Sequence, residues 1–192
     1  VMAPEQDILD LPGARLLFVD GALDEARSTL GRASIGAVDA SDHPLGRRAG
    51  GRGWSLRLDR AAAVDPVQIV HVATGRENHL AAEIVLADDA VASVVETFVG
   101  AGWSNRFTRT RLARGARLMR AVRMIQQAGF VSLREEAEVG EAASLVTTFL
   151  GAGDMGSRID AAVTLAGVGG YAEYGGALLT RAEQKQECAV RV

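Results

Sequence analysis

Aromatic residues, proline and cysteine are all scarce in this chain of 192 residues. Phe, Trp and Tyr together make up 5% of it, only 4 prolines occur, and Cys188 is its single cysteine. One cysteine excludes an internal disulfide framework, and the longest apolar runs fall well short of the ~20 residues that a membrane-spanning helix needs. The first seven residues show neither the basic nor the apolar part of a signal peptide. We therefore expect a cytoplasmic protein without membrane contact.

Patterns that carry catalytic or metal chemistry are also missing. The histidines His43, His71 and His79 have no metal-ligand spacing to one another or to Cys188. We interpret His71 as a polar position on a half-buried strand, and Cys188 as a small buried apolar residue. The glycine-rich run at 151–156 resembles a phosphate loop, but it lacks the GK[ST] ending and precedes a strand-like run. We expect no catalytic, cofactor-binding or metal-binding residues, and no enzymatic activity.

A repeat is the main feature that the sequence does contain. The same short turn phrase recurs with spacings of 26, 27 and 27 residues, ending at Ala90, Ala116, Ala143 and Gly170. Strand-like runs follow these phrases, at 91–98, 117–125, 144–150 and 171–179. A second set of runs lies halfway between them, with starts at Asn105, Val131, Ser157 and Glu183. Each unit thus holds two strands and two turns, and a fixed period of this size indicates stacked repeats.

Two topologies satisfy this period: a parallel β-helix of about 26–27 residues per coil, and an antiparallel meander. A shift of 27 residues pairs Arg109 with Glu136, Arg111 with Glu138 and Arg114 with Glu141. Opposite charges on neighbouring strands contribute ~0.2–1 kcal/mol per pair, which favours the all-β parallel β-helix. The same arginines are also compatible with a phosphate or nucleic-acid surface. The net charge of −3 argues against that reading, so we expect no nucleic-acid partner.

The N-terminal third lacks the repeat. Residues 14–19 are typical of a buried strand, and residues 23–30 have the apolar spacing of a short helix that ends at Gly31. Residues 41–53 are rich in glycine and arginine without periodicity, which predicts a flexible loop. Alternation returns at 54–58. We therefore divide the chain into an N-terminal segment, residues 1–64, and a β-helix core, residues 65–192.

Several short phrases follow one another in a fixed order. They are Asp65–His71, Arg114–Leu118, Gly140–Leu145, Gly156–Asp160 and Leu165–Ala172, with Phe18–Gly21 on the N-terminal side. In this order they resemble the SufB/SufD family of iron–sulfur cluster assembly proteins, and SufD more than SufB.

The resemblance implies a right-handed parallel β-helix that serves as a non-catalytic scaffold subunit, partner of a SufB-like subunit and a SufC-like ATPase. The iron–sulfur cluster is then handled by the complex and is not a cofactor of this chain. Family members continue beyond the point that corresponds to residue 192, into the segment that docks SufC and carries the cluster-associated motif. For that reason no functional residue of the family is transferred to this sequence.

A second class of function stays open, namely a β-solenoid that binds or modifies an extended polymer such as a polysaccharide. It requires aromatic side chains or paired carboxylates stacked along one face, and Trp54, Trp103, Tyr171 and Tyr174 do not share a column of the repeat. An open coil at the end of a solenoid exposes unpaired backbone groups. We therefore also expect self-association through the C-terminal coil, residues 171–179 and 187–192, in the place of a SufB-like partner.

Overall fold

The computed structural model describes residues 8–192, and 64% of it is strand and 5% helix. The seven residues before Ile8, on which the signal-peptide prediction depends, lie outside the described residues. Within residues 8–192, no helix is long and apolar enough to cross a membrane. The elements are β1 (Arg15–Val19), β2 (Ala22–Leu23), β3 (Ala33–Val38), α1 (Pro44–Ala49), β4 (Gly51–Leu58), β5 (Val67–Leu86), β6 (Val91–Leu112), β7 (Arg117–Met124), β8 (Ala128–Val139), β9 (Ser144–Gly151), β10 (Gly156–Leu165), β11 (Tyr171–Leu178) and β12 (Lys185–Arg191).

These strands form a right-handed parallel β-helix of about five turns, as the repeat and the resemblance predicted. The first sheet has the order β1-β5-β6-β7-β9-β11, and the second has the order β4-β5-β6-β8-β10-β12. Strands β5 and β6 belong to both sheets, because each bends from one into the other. Strands one repeat apart therefore pair in parallel, and the meander is excluded.

The turn phrases stack in the predicted column. Ala90, Ala116 and Ala143 are each 0% exposed, and Gly170 lies in the same column one coil further on. The N–H that follows each position donates to the carbonyl one coil below, at 2.7 to 2.9 Å. The column is small because the chain turns sharply here, and a larger side chain would meet the neighbouring coils. The small residue at each repeat of the sequence is therefore explained by the lack of space for a larger side chain in this column.

The predicted starts of the second set of strands are wrong at two positions. The paired column runs through Ser104, Val131, Ser157 and Gln186, so that Asn105 and Glu183 do not belong to it. The last interval is longer because the chain makes a wider connection between β11 and β12. Its strand consequently begins at Lys185.

In the middle coils, the corner between the two sheets is not a separate turn. In β6 the pairing continues through the corner, where Gly102 has a φ of 119°. Gly129, which lies directly above it with a φ of 94°, would place a Cβ only 2.0 Å from the carbonyl oxygen of Gly102. Glycine is required at this corner because the chain is in the left-handed region and neighbouring backbones are in close contact.

The N-terminal third adds strands to the same two sheets. Strand β1 pairs in parallel with the first half of β5, and β4 pairs in parallel with its second half. The predicted strands at 14–19 and 54–58 are therefore confirmed.

Two other predictions for this third are wrong. The helix expected at 23–30 is a single 3₁₀ turn, Glu25–Arg27, because Leu23 pairs with β1 and Thr29 returns to it, which leaves no room for more. The loop expected at 41–53 contains α1, with His43 as its N-cap and Pro44 in its first turn, and the start of β4.

Helix α1 lies on the outer face of the second sheet. We call residues 38–50 the strap. Val38 and Ala49 of the strap pack against Ala81 of β5 and Phe107 of β6, and all four side chains are buried. This apolar contact covers part of a sheet face that is otherwise charged.

We expect Ala116→Val to destabilise the protein by about 1–3 kcal/mol, because the added methyl groups overpack the turn column. Ala121→Val is the matched control, since Ala121 is only partly buried on the outer face of β7, where a β-branched residue is favourable. Urea denaturation of both variants measures the effect. Equal free energies of unfolding for the two would contradict the packing constraint.

Candidate functional site

The core between the two sheets contains four buried charged residues. Glu96 and Arg120 project inward from the first sheet, and Arg106 and Glu135 project inward from the second. Glu96 takes an inward place in the same alternation as the apolar residues of β6, so the strand period itself carries the charge into the core. The negative charges of the two glutamates balance the positive charges of the two arginines. Nothing in the local sequence pattern distinguishes these inward charges from outward ones, and sequence reasoning missed the network.

Arg120 lies between two carboxylates and links the sheets. Its Nη2 is 3.0 Å from Oε2 of Glu96, and its Nη1 donates to Oε1 of Glu135 on the opposite sheet. The Tyr174 hydroxyl donates to the other oxygen of Glu135 at 3.0 Å. Burial lowers the pKa of Arg120, but the charges of Glu135 and Glu96 more than offset this and raise its pKa. The pKa of Tyr174 is raised by burial and by the Glu135 charge.

His71 is held at the other end of this network. Its ring is stacked between Phe18 and Phe98, with centroid distances of 5.7 and 4.6 Å. Arg106 Nε donates to Nδ1 at 3.1 Å, so Nδ1 accepts, and Nε2–H donates to Glu96 at 2.7 Å. Both nitrogens are thus satisfied by a neutral ring.

The electrostatics agree with that tautomer. Burial and the charge of Arg106 lower the pKa of His71 to about 4. Burial acts to raise the pKa of Glu96, but the hydrogen bond from His71 and the positive charges of Arg120 and Arg106 lower it to about 2. The expectation that His71 is half-buried is wrong: its exposure is 0%. The network is paired and closed off from water, which is the arrangement of a structural core.

The charge ladder on the outer face of the second sheet has the predicted register but only part of the predicted pairing. Arg109, Arg111 and Arg114 stand opposite the three glutamates one coil away. Only Arg109 pairs as expected, at 3.8 Å from Glu136. The other two turn to the coil below, where Arg111 is 3.0 Å from Glu83 and Arg114 is 3.2 Å from Asp88. The register determines which strands are adjacent, but a long arginine side chain can reach an acid on either of the two neighbouring coils.

The C-terminal coil is formed by β11 and β12. In the part of the chain that the structure describes, β11 pairs only with β9, and β12 pairs only with β10. Leu179 is 58% exposed and Val190 is 39% exposed. The expectation that Cys188 is buried is wrong, because it lies in an inward column that has Ile159 below it and no described coil above it.

The remaining sequence candidates do not come together. His43 lies at the start of α1, and His79 lies near its other end, while His71 is inside the core. The glycine-rich run at 151–156 connects β9 to β10 as an inter-strand turn, as predicted. Over residues 8–192, no group of three or more His, Cys, Asp or Glu side chains is placed to hold a metal ion.

No protein-family model matches the chain, and no curated protein matches it. The assignment to the SufB/SufD family therefore remains a prediction.

We expect Glu96→Gln to destabilise the protein by about 3–5 kcal/mol, because it leaves buried arginines short of a counter-charge. Glu138→Gln, on the exposed face of β8, is the control and should stay within about 0.5 kcal/mol of the parent. Urea unfolding at neutral pH gives both values. A small effect of Glu96→Gln would show that the network contributes little to stability.

We also expect stability to fall on acidification in two overlapping steps. The folded pKa of His71 is about 4 against an ordinary 6.5, so the unfolded chain binds more protons and stability falls as pH drops from 6.5 towards 4. The pKa of Glu96, about 2 against 4.5, extends the fall from 4.5 towards 2. Urea midpoints across this range test it. Constant midpoints between pH 7 and 4 would contradict the neutral His71.

Proposed function

We propose that this chain is a non-catalytic scaffold subunit that acts through its C-terminal coil. The proposal rests on one observation: among residues 8–192, β11 and β12 each pair on one side only, and apolar side chains are exposed beside them. Unpaired N–H and C=O groups along an edge strand are a template for another strand. The SufD-like role in iron–sulfur cluster assembly, with a SufB-like partner and a SufC-like ATPase, enters through the resemblance in sequence.

The geometry of the end favours one kind of partner. Two parallel edge strands from opposite sheets end at the same level, separated by the thickness of the core. A single extended peptide can pair with only one of them. The end of a second β-helix presents two strands at a matching separation, so it can pair with both and cover the core between them. A related β-helical subunit is therefore a better partner than a peptide.

The contacts inside the β-helix are those expected of a rigid scaffold. The buried ions and the stacked turns join successive coils, and both sheets share β5 and β6. A rigid end presents its edge strands in a defined geometry, which lowers the entropic cost of docking.

We expect wild-type chain to associate in a concentration-dependent manner, and Val190→Lys to abolish this, because a charge on an inward edge position blocks strand pairing. Met119→Lys is the matched control: it introduces the same charge at an exposed position of β7, away from the edge, and should associate as the parent does. Light scattering measures the masses. A strictly monomeric parent, or a Val190→Lys variant that still associates, would contradict docking through this coil.

Co-expression with SufB-like and SufC-like subunits distinguishes the SufD-like role from the polymer-binding alternative. If the SufD-like role is correct, the chain co-purifies with SufB-like and SufC-like subunits, Val190→Lys does not, and the chain alone hydrolyses no ATP. Binding of a polysaccharide by the isolated chain, unaffected by Val190→Lys, would favour the polymer-binding alternative instead.

A further inference from the structure

The charged side chains of β12 lie on the outer face of the second sheet. Cys188 and Val190 continue inward columns of the core, so the residues between and beside them point outward. Among these, the side chains of Glu187 and Arg191 are 53% and 67% exposed. Opposite charges therefore stand on one face of the same strand, beside its unpaired side.

The inward columns of β11 and β12 face each other in a fixed order. Tyr174 of β11 reaches Glu135, which belongs to the column that ends at Val190. The column below Gly176 and the column below Cys188 share one apolar cluster. Tyr174 therefore lies across the core from Val190, and Gly176 lies across from Cys188.

A two-fold axis perpendicular to both sheets relates the ends of two such molecules without mixing their layers. It sets each of the two strands antiparallel to the same strand of a second copy, and inward side chains stay inward. Directly opposite residues must share a face, so the axis passes through one residue of each strand. The order of the columns couples the two choices: an axis through Ala189 of β12 passes through Gly175 of β11.

The charges of β12 distinguish between positions of this axis. An axis through Ala189 sets Glu187 opposite Arg191 of the second copy, twice by symmetry. An axis through Cys188 sets Lys185 opposite Arg191, and an axis through Glu187 sets that carboxylate opposite itself. Like charges directly opposite are destabilising. Axes closer to either end of β12 leave a much shorter ladder.

The same axis gives β11 a favourable neighbour. With the axis through Gly175, Tyr174 lies opposite Gly176 of the second copy. An aromatic side chain across from a glycine covers the backbone that the glycine leaves bare. Glu173 is the charged residue of β11 and lies opposite Ala177, so no like charges meet on the first sheet.

We propose that the C-terminal coil docks a second copy of this chain about a two-fold axis through Ala189 and Gly175. This arrangement rests on the docking through β11 and β12 proposed above, and it adds the identity of the partner and the register. Both sheets then continue from one copy into the other. The ion pairs of Glu187 with Arg191 select the register more than they add affinity, because both side chains are exposed to water.

Disulfide crosslinking measures the register directly. In a Cys188→Ala background, Ala189→Cys and, separately, Gly175→Cys each place a thiol opposite its own copy. The Cα atoms of opposite residues are about 4.5–5.5 Å apart in an antiparallel pair, which is within the range of a disulfide. Gly175 has room for the added side chain. We expect both variants to form covalent dimers with oxidised glutathione, whereas Met119→Cys, exposed on β7, should not.

The native thiol provides an independent check of the same register. With the axis through Ala189, Cys188 and its copy are offset by two residues, which separates their Cα atoms by roughly 8 Å. That distance exceeds the ~7 Å limit for a disulfide. Wild-type chain should therefore remain uncrosslinked under the same oxidation. A covalent dimer through Cys188 would place the axis at that residue and overturn the proposal.

Charge reversal tests the ion pairs between the copies. Glu187→Arg and Arg191→Glu each set like charges opposite one another, and each should weaken self-association at least about fivefold at low salt. The double variant restores opposite charges and should associate as the parent does. It does not restore the contact of Glu187 with Arg158 at 2.9 Å, so its rescue reports contact between copies. Sedimentation velocity measures the three dissociation constants, and a double variant as weak as the single ones would contradict the register.

These outcomes separate the register from the proposed function. Suppose that the parent associates and Val190→Lys abolishes this, but neither Ala189→Cys nor Gly175→Cys crosslinks. Docking through the C-terminal coil then stands, and the two-fold arrangement is overturned. A strictly monomeric parent overturns both.

Discussion

The guanidinium of Arg120, held between Glu96 and Glu135, is the interaction on which the interior of this β-helix depends. It crosses from one sheet to the other where the core would otherwise be apolar, and it brings both carboxylates into a region from which water is excluded. A charge in such a place is tolerable only if it is paired. The pairing therefore restricts how the coils stack, because sliding one sheet along the other by a single residue would separate the charges.

The two ends of that network have different surroundings. At one end His71 is enclosed by two phenyl rings and kept neutral, and at the other Tyr174 reaches Glu135 from the C-terminal coil. The C-terminal coil is therefore tied to the rigid interior, although β11 and β12 each pair on one side only among residues 8–192. This combination suits a subunit that presents a fixed pair of strands to another β-helix, and it is the reason for placing the proposed function at this end.

The three histidines differ in burial: one lies in the core and two lie at the surface. His71 is fully enclosed and its ring nitrogens are matched to one donor and one acceptor, whereas His43 and His79 lie at the margin of the strap and are partly exposed.

The sequence by itself determined the repeat: the period of 26 to 27 residues, with a small residue at each turn, predicted the columns of Ala90 and Arg109. The period alone was also compatible with an antiparallel meander, and the charge register favoured the parallel β-helix that the strand pairing shows. Only the tertiary structure decided that Glu96 and Arg120 share a buried network, that Cys188 is exposed, and that residues 41–53 contain a helix. These outcomes depend on which side chains from distant coils meet across the core or over a sheet face, and the local alternation of a strand is the same whether the position it turns inward meets an ion or a methyl group.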